Sequence, residues 1–212
     1  MINQESIDKF RLELPVFEKN IRAFEAGEID RNTLKGITGG FGSYAQKEGG
    51  YMLRLRLPGG RVSKDTLKFI VDKIKEHQID LLKLTTCQTI QLHNLSADSV
   101  ITLIRDALDF GIFTKGGGGD NPRNVMVSPL SGIEPGEFFD VYPYAKAAGE
   151  YLIDRMPSLH MPRKLKVGFS NSPENEVHAT FRDLGFVARE NGTFSVSVSY
   201  THLRAHETGA YL

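Results

Sequence analysis

The sequence predicts an α+β fold in two parts, and three patterns carry that prediction. YMLRLRL at 51–57 alternates apolar and polar residues with the two-residue period of a strand. An amphipathic helix, two strands set close together and a second amphipathic helix follow it. The glycine-rich stretch FTKGGGGDNPRN at 113–124 then separates this block from shorter strands around one further helix. At 212 residues the chain can bury one sizeable core and part of a second.

From Glu5 to about Ile29 apolar residues fall at helical spacing, interrupted by Pro15, and lead into the glycine-containing link KGITGGFGSYAQKEGG. Residues 1–44 therefore read as an N-terminal helical extension. In the first strand Tyr51, Leu53, Leu55 and Leu57 face one side, Met52, Arg54 and Arg56 the other, and Pro58, Gly59 and Gly60 end it. Ser63 can cap a helix whose Leu67, Ile70, Val71 and Ile74 form an apolar stripe. LLKLTT and QTIQLHN leave room only for a tight turn between them, the hairpin signal. A second helix opens at Ser96 and carries Val100, Leu103, Ile104, Ala107 and Leu108 on one face. Strand, helix, strand, strand, helix is most of a ferredoxin-like split βαβ unit. Beyond the glycine-rich loop, NVMVS is a short strand, Glu137 to about Met156 a helix, RKLKVGF an alternating strand, and Thr180 through FRDLGFVARE a turn and a strand. These pieces are not expected to close a second domain by themselves.

Charge is balanced, with 26 Lys and Arg against 26 Asp and Glu, so no global attraction to nucleic acid or a membrane surface is indicated and any electrostatic function is local. The N-terminus has no apolar core of a signal peptide and no stretch approaches a membrane span, which makes the cytoplasm the expected location. The single cysteine, Cys87, excludes a disulfide framework and a self-contained zinc or iron–sulfur site, which want about four ligands. No metal ligand set is expected. His202 and His206 have i, i+4 spacing, but VSYTHLRAHET at 198–208 resembles a translated sequencing-library adapter, so residues 198–212 read as a non-native tail. His77 closes a helix, and His160 precedes Pro162 in a loop.

The polar strand faces hold the chemistry. Arg54 and Arg56 share one face, Lys164 and Lys166 another, and Thr89, Gln91 and His93 a third. Like charges two residues apart on a strand lie about 7 Å apart and repel by roughly 2 kcal/mol at an effective dielectric of 20, which favours a bound anion. For any one pair, an exposed polar face of an antiparallel strand is the simpler reading. The four glycines of FTKGGGGDN can present backbone N–H groups as an anion nest, with Arg123 beside them. Arginines that hold an oxyanion bidentately, next to lysines that can release a proton, suit a small oxyanion that must be bound and protonated.

MLRLRLPGG, LTTCQTIQLHN, NPRNV and MPRKLKVGFS resemble, in order, four landmarks of the siroheme-dependent nitrite and sulfite reductases, and HATFRDLGFVA resembles the segment after them. The likeness runs from about Ile37 to Val196. It implies a ferredoxin-like half domain at 45–116 and the start of a siroheme and 4Fe-4S α+β domain at 117–197, truncated. It also implies reduction of sulfite to sulfide, or nitrite to ammonia, by six electrons from a donor such as ferredoxin or a flavoprotein.

By the same resemblance Arg54, Arg123, Lys164 and Lys166 are the catalytic set around the substrate. The cofactor-binding set is Arg54, Arg56, Lys83, Thr85, Gln91, Arg123, Asn124 and Lys166. Cys87 stands where many family members have arginine, and is read as a small, partly buried residue. The family's cluster cysteines are expected downstream of these residues, so the chain as given is expected to be inactive. An alternative is a non-catalytic tetrapyrrole- or anion-binding protein on the same scaffold. An RNA-binding module is remote, because QTIQLHN offers no aromatic residue for base stacking.

Overall fold

The computed structural model describes residues 2–198, so most of the 198–208 string and the His202–His206 spacing lie outside the described residues. The first helix, α1 (Gln4–Glu25), is capped by Asn3, whose side chain accepts the Ser6 N–H at 2.7 Å. It runs through Pro15 without a break, contrary to the interruption expected there. Pro15 lies on the exposed face, where the carbonyl its ring leaves unpaired is open to solvent, while Phe10, Leu14, Phe17 and Ile21 hold the buried face in place. Phe10 packs against Phe41 and Phe113, and α1 lies along the later helix α4 (Ala97–Phe110), so this segment belongs to the main core. A second helix, α2 (Arg31–Thr38), capped by Asp30, runs into the start of the expected link. Gly42, at φ +84°, then turns the chain tightly into β1 (Ser43–Ala45).

The first sheet is antiparallel, in the order β1, β2 (Tyr51–Arg56), β4 (Thr89–Leu95), β3 (Leu82–Leu84). Its register aligns Arg54 with Gln91 and Gln91 with Lys83, and sets Arg56 opposite Thr89. α3 (Lys64–Glu76) is capped by Ser63, but its expected stripe is only partly covered: Ile70 is buried whereas Leu67 is 54% and Val71 38% exposed. α4 is capped by Ser96, ends at left-handed Gly111, and buries all five residues of its expected stripe. Both faces of β2 are covered, the apolar side by the helices and the arginine side by the chain at 114–124. The simpler reading of these arginines as an exposed face therefore fails: Arg56 is only 4% exposed.

The second part forms a sheet with its own core, in the order β5 (Met126–Val127), β6 (Val167–Ser170), β7 (Leu184–Ala188), β8 (Phe194–Val198). The first two pairings are parallel and the last antiparallel, and β8 keeps register to Val198 opposite Leu184. α5 (Tyr142–Arg155) covers this sheet, and Phe169 stacks on Phe186 at 4.4 Å. The helix begins at Tyr142 rather than Glu137, because Glu134 and Glu137 instead accept hydrogen bonds from Asn171 and tie down the loop before it. Lys164 and Lys166 precede β6 and do not share a regular strand. Leu165 between them makes an isolated parallel bridge to Pro122, in which the Arg123 N–H donates to the Leu165 carbonyl at 2.8 Å and the Leu165 N–H to the Asn121 carbonyl at 3.4 Å.

Candidate functional site

The site lies where the arginine face of β2 meets the chain at 114–124 and the segment before β6. Arg56 enters from β2 and donates to three backbone carbonyls, Lys115 at 2.9 Å, Pro122 at 3.1 Å and Arg123 at 3.1 Å. Burial, and then the charge of Arg123, push its guanidinium down to about 10, which leaves it charged at neutral pH. Its donors bind the loop to the sheet, so Arg56 is placed as a strut rather than as a free ligand. Asn124 acts similarly: its buried amide donates to the carbonyls of Leu57 (2.8 Å), Cys87 (3.0 Å) and Gln88 (3.1 Å), drawing three segments together.

Arg54 donates to the Gly117 carbonyl, and Arg123 donates to that same carbonyl and to Gly119 O at 2.8 Å. Two guanidiniums thus converge on one loop. Burial first, and Arg123 second, lower the Arg54 pKa from its usual value. With the Gln91 amide oxygen turned to Arg54 Nε at 3.1 Å, its nitrogen donates to His93 Nε2 at 3.1 Å, which satisfies both neighbours. Burial, then Lys83 and Arg54, lower the His93 pKa, so the imidazole is held neutral.

The glycine loop is not an anion nest. Gly116 N–H donates to Gly40 O, Gly117 N–H to Thr114 O, and Gly119 N–H to the Tyr44 hydroxyl, while the loop's carbonyls face the arginines. It supplies acceptors that hold cations in place, the reverse of the expected role.

Arg54, Arg123, Lys164 and Lys166 line one cavity of about 310 Å³, together with Thr85 and Cys87, and among the described residues no Asp or Glu lines it. Thr85 has its hydroxyl engaged by Thr89 at 2.6 Å, and Cys87 is partly buried with its carbonyl held by Asn124. Lys83 is exposed on β3 and does not line the cavity, although register places it in the same cross-strand row as Arg54 and Gln91. A second lobe of about 540 Å³ shares Tyr44, Arg123 and Lys164 with the first and adds Lys35 and Arg163, with Asp120 at its wall. The sequence reading missed these three contributors. Lys35 lay in a segment taken for a link, Tyr44 lies in a three-residue strand too short to show alternation, and Arg163 could have been found as the neighbour of Lys164. Glu76, His77 and Asp106 also come together among the described residues, but the Lys73 ammonium lies between the carboxylates at 2.7 and 2.6 Å and fills the place of a cation.

Two family models match the chain: the nitrite/sulfite reductase ferredoxin-like half domain over residues 44–109, and the nitrite and sulphite reductase 4Fe-4S domain over residues 118–198. A sulfite reductase [NADPH] hemoprotein beta-component of Nitrobacter winogradskyi is 30% identical over 164 residues, covering 65% of this chain and 28% of that protein. A ferredoxin–nitrite reductase of Leptolyngbya laminosa is 26% identical over 157 residues, covering 71% of this chain and 31% of that one. The chain thus spans less than a third of either relative. Among solved structures, the Mycobacterium tuberculosis NirA protein superposes with a TM-score of 0.67 at 24% identity, over 84% of this chain and 38% of that one, a likeness of fold. No helix among the described residues is long and apolar enough to cross a membrane.

Proposed function

The chain belongs to the siroheme nitrite and sulfite reductase family, and from that membership we propose that its acid-free cationic cavity is the tetrapyrrole- and oxyanion-binding half of such a reductase. One observation carries the reading: Arg54, Arg123, Lys164 and Lys166, from three separate stretches of sequence, line a single cavity that contains no carboxylate. The family's cofactors are siroheme and a 4Fe-4S cluster. Siroheme fits the residues present, because a polycarboxylate needs concentrated cations. The Nε atoms of Arg56 and Arg123 are moreover buried without partners among the described residues, as expected where positive charge is left uncompensated. The cluster does not fit them: Cys87 is the single thiol, and cluster ligation wants about four.

When bound, siroheme supplies the redox chemistry at its iron. The chain's own groups do the rest. Arg54 and Arg123 present fixed positive charge to a bound oxyanion, and Lys164 and Lys166 hold protons that can be passed to its oxygens. Arg56 and Asn124 fix the backbone that positions them. In the whole protein we assign this site to six-electron reduction of sulfite or nitrite, with ferredoxin or a flavoprotein as donor. This chain alone binds without turning over, because it supplies no cluster ligands. One thiol and no disulfide pair suit the reducing cytoplasm.

The test is anaerobic titration of the full chain with siroheme, followed by absorbance, for the native sequence and for the variant Arg123→Met with Lys164→Met. Saturable binding that weakens at least tenfold in the variant is expected. Equal binding by both would overturn the assignment. Reduction of sulfite with a viologen donor by this chain would overturn the statement that it does not turn over.

A further inference from the structure

We propose that the Tyr44 hydroxyl is a further ligand-binding group of the cavity, the neutral donor that hydrogen-bonds the small inorganic oxyanion held by Arg123. The inference rests on the assignment of the cavity as an oxyanion site and adds a residue that the motifs do not contain.

Three features place Tyr44 there. First, its side chain lines both lobes of the cavity, at the junction that also carries Arg123 and Lys164. Second, its hydroxyl oxygen accepts the Gly119 N–H at 2.7 Å, while its own proton has no acceptor among the described residues. A phenol whose oxygen is held on one side and whose proton is unclaimed is oriented to donate into the space it lines. Third, the phenol lies in a slot kept open by glycine. A Cβ at Gly118 would collide with the Tyr44 hydroxyl and the Gly39 carbonyl, and one at Gly39 would come within 3.1 Å of the ring. A bulkier residue at either position would push the hydroxyl away from the junction.

The charges around it give the donor a distinct task. The two residues that share the junction of both lobes with Tyr44, Arg123 and Lys164, are cations, and cations attract any anion, including chloride. A directed neutral hydrogen bond favours an anion with an oxygen at the right place. Tyr44 therefore contributes selectivity among anions, while the arginines and lysines contribute attraction.

The test uses the full chain, native and Tyr44→Phe, titrated calorimetrically with sulfite and separately with acetate. In parallel, 3-fluorotyrosine placed at position 44 is followed by fluorine NMR. Loss of one hydrogen bond predicts sulfite binding weakened roughly five- to tenfold in Tyr44→Phe. It also predicts a position-44 fluorine resonance that shifts with sulfite and saturates at the calorimetric Kd. The fluorine signal guards against a merely structural effect, because the variant also leaves Gly119 N–H without its acceptor. Weakened binding with an unmoved fluorine signal would make Tyr44 a prop for the loop and overturn the proposal. Sulfite binding within twofold of native would overturn it too, leaving the cavity assignment intact. A Tyr44 effect confined to acetate would identify a carboxylate rather than an inorganic oxyanion as the ligand and overturn it as stated. No sulfite binding by the native chain would bring down both this proposal and the oxyanion part of the assignment beneath it.

Discussion

Replacing Arg56 by methionine separates a strut from a ligand. The variant keeps the apolar stem and removes the guanidinium, so the carbonyls of Lys115, Pro122 and Arg123 lose donors at 2.9, 3.1 and 3.1 Å. Each buried acceptor left unpaired costs about 1–3 kcal/mol. Removing a buried cation that stands beside Arg123 offsets part of that loss. Breaking one side of a buried charged arrangement nonetheless destabilises by about 3–5 kcal/mol, and the lower end applies here because the lost partners are dipoles rather than charges. About 3 kcal/mol corresponds to a fall in Tm of roughly 6–12 °C for a chain of this size. Urea unfolding of the full chain is the assay, with the midpoint falling at unchanged slope. Sulfite titration well below the new Tm is expected to show a smaller loss of affinity than Arg123→Met produces. A midpoint within about 0.5 kcal/mol of native, together with abolished sulfite binding, would refute the argument and make Arg56 a direct ligand.

Lys164→Met removes an exposed cation with no partner among the described residues, so stability should stay within about 0.5 kcal/mol while sulfite affinity falls several-fold and depends less on salt; unfolding curves and titrations at two ionic strengths check both. His93 has its pKa lowered from 6.5 on folding, so the unfolded chain takes up its proton first. Its contribution to stability is present above about pH 6.5 and is lost as pH falls through the lower folded value. Thermal unfolding between pH 5 and 7 should show this slope, reduced in His93→Gln; an identical slope in the variant would assign it to another group. Gly118→Ala forces a methyl group into Tyr44 and the Gly39 carbonyl and should destabilise by about 1–3 kcal/mol. A native-like Tm for that variant would show that the slot around the phenol yields easily.

Local rules made much of the first half legible. Ser63 and Ser96 announce helix starts, and the α4 stripe is buried in full because that helix lies across the sheet. The α3 stripe reads just as cleanly, yet Leu67 and Val71 remain exposed, since periodicity reports a capacity for burial and not the partner that provides it. α2 was hidden by the glycines around it, although Asp30 was an available cap. Pro15 misled because its cost depends on which face of the helix it occupies, and that face is set by tertiary packing. In the site, the charges of Arg54, Arg123, Lys164 and Lys166 were readable one at a time. Their convergence was expected only through the family resemblance and not from local pattern, because it depends on Arg56 and Asn124 binding carbonyls far away in the chain.

The glycine loop shows why the cavity stays cationic. Among the described residues Arg54, Arg56 and Arg123 find their hydrogen bonds at backbone carbonyls and, for Arg54, also at the neutral Gln91 amide, none of them at a carboxylate. A carboxylate would hold each guanidinium more strongly, but it would also cancel the charge that attracts an anion. A carbonyl accepts the hydrogen bond and leaves the full positive charge in place. Three arginines can therefore be ordered and partly desolvated without being neutralised, at a cost seen in the lowered pKa values of Arg54 and Arg56, where burial is the larger cause and repulsion by Arg123 the second. The chain has 26 acidic residues with which to relieve that repulsion, and none of them lines the first lobe. A bound anion would relieve it instead. Occupancy should then raise the stability of the folded chain by mass action, and the arginines held by the glycine loop are where that linkage would originate.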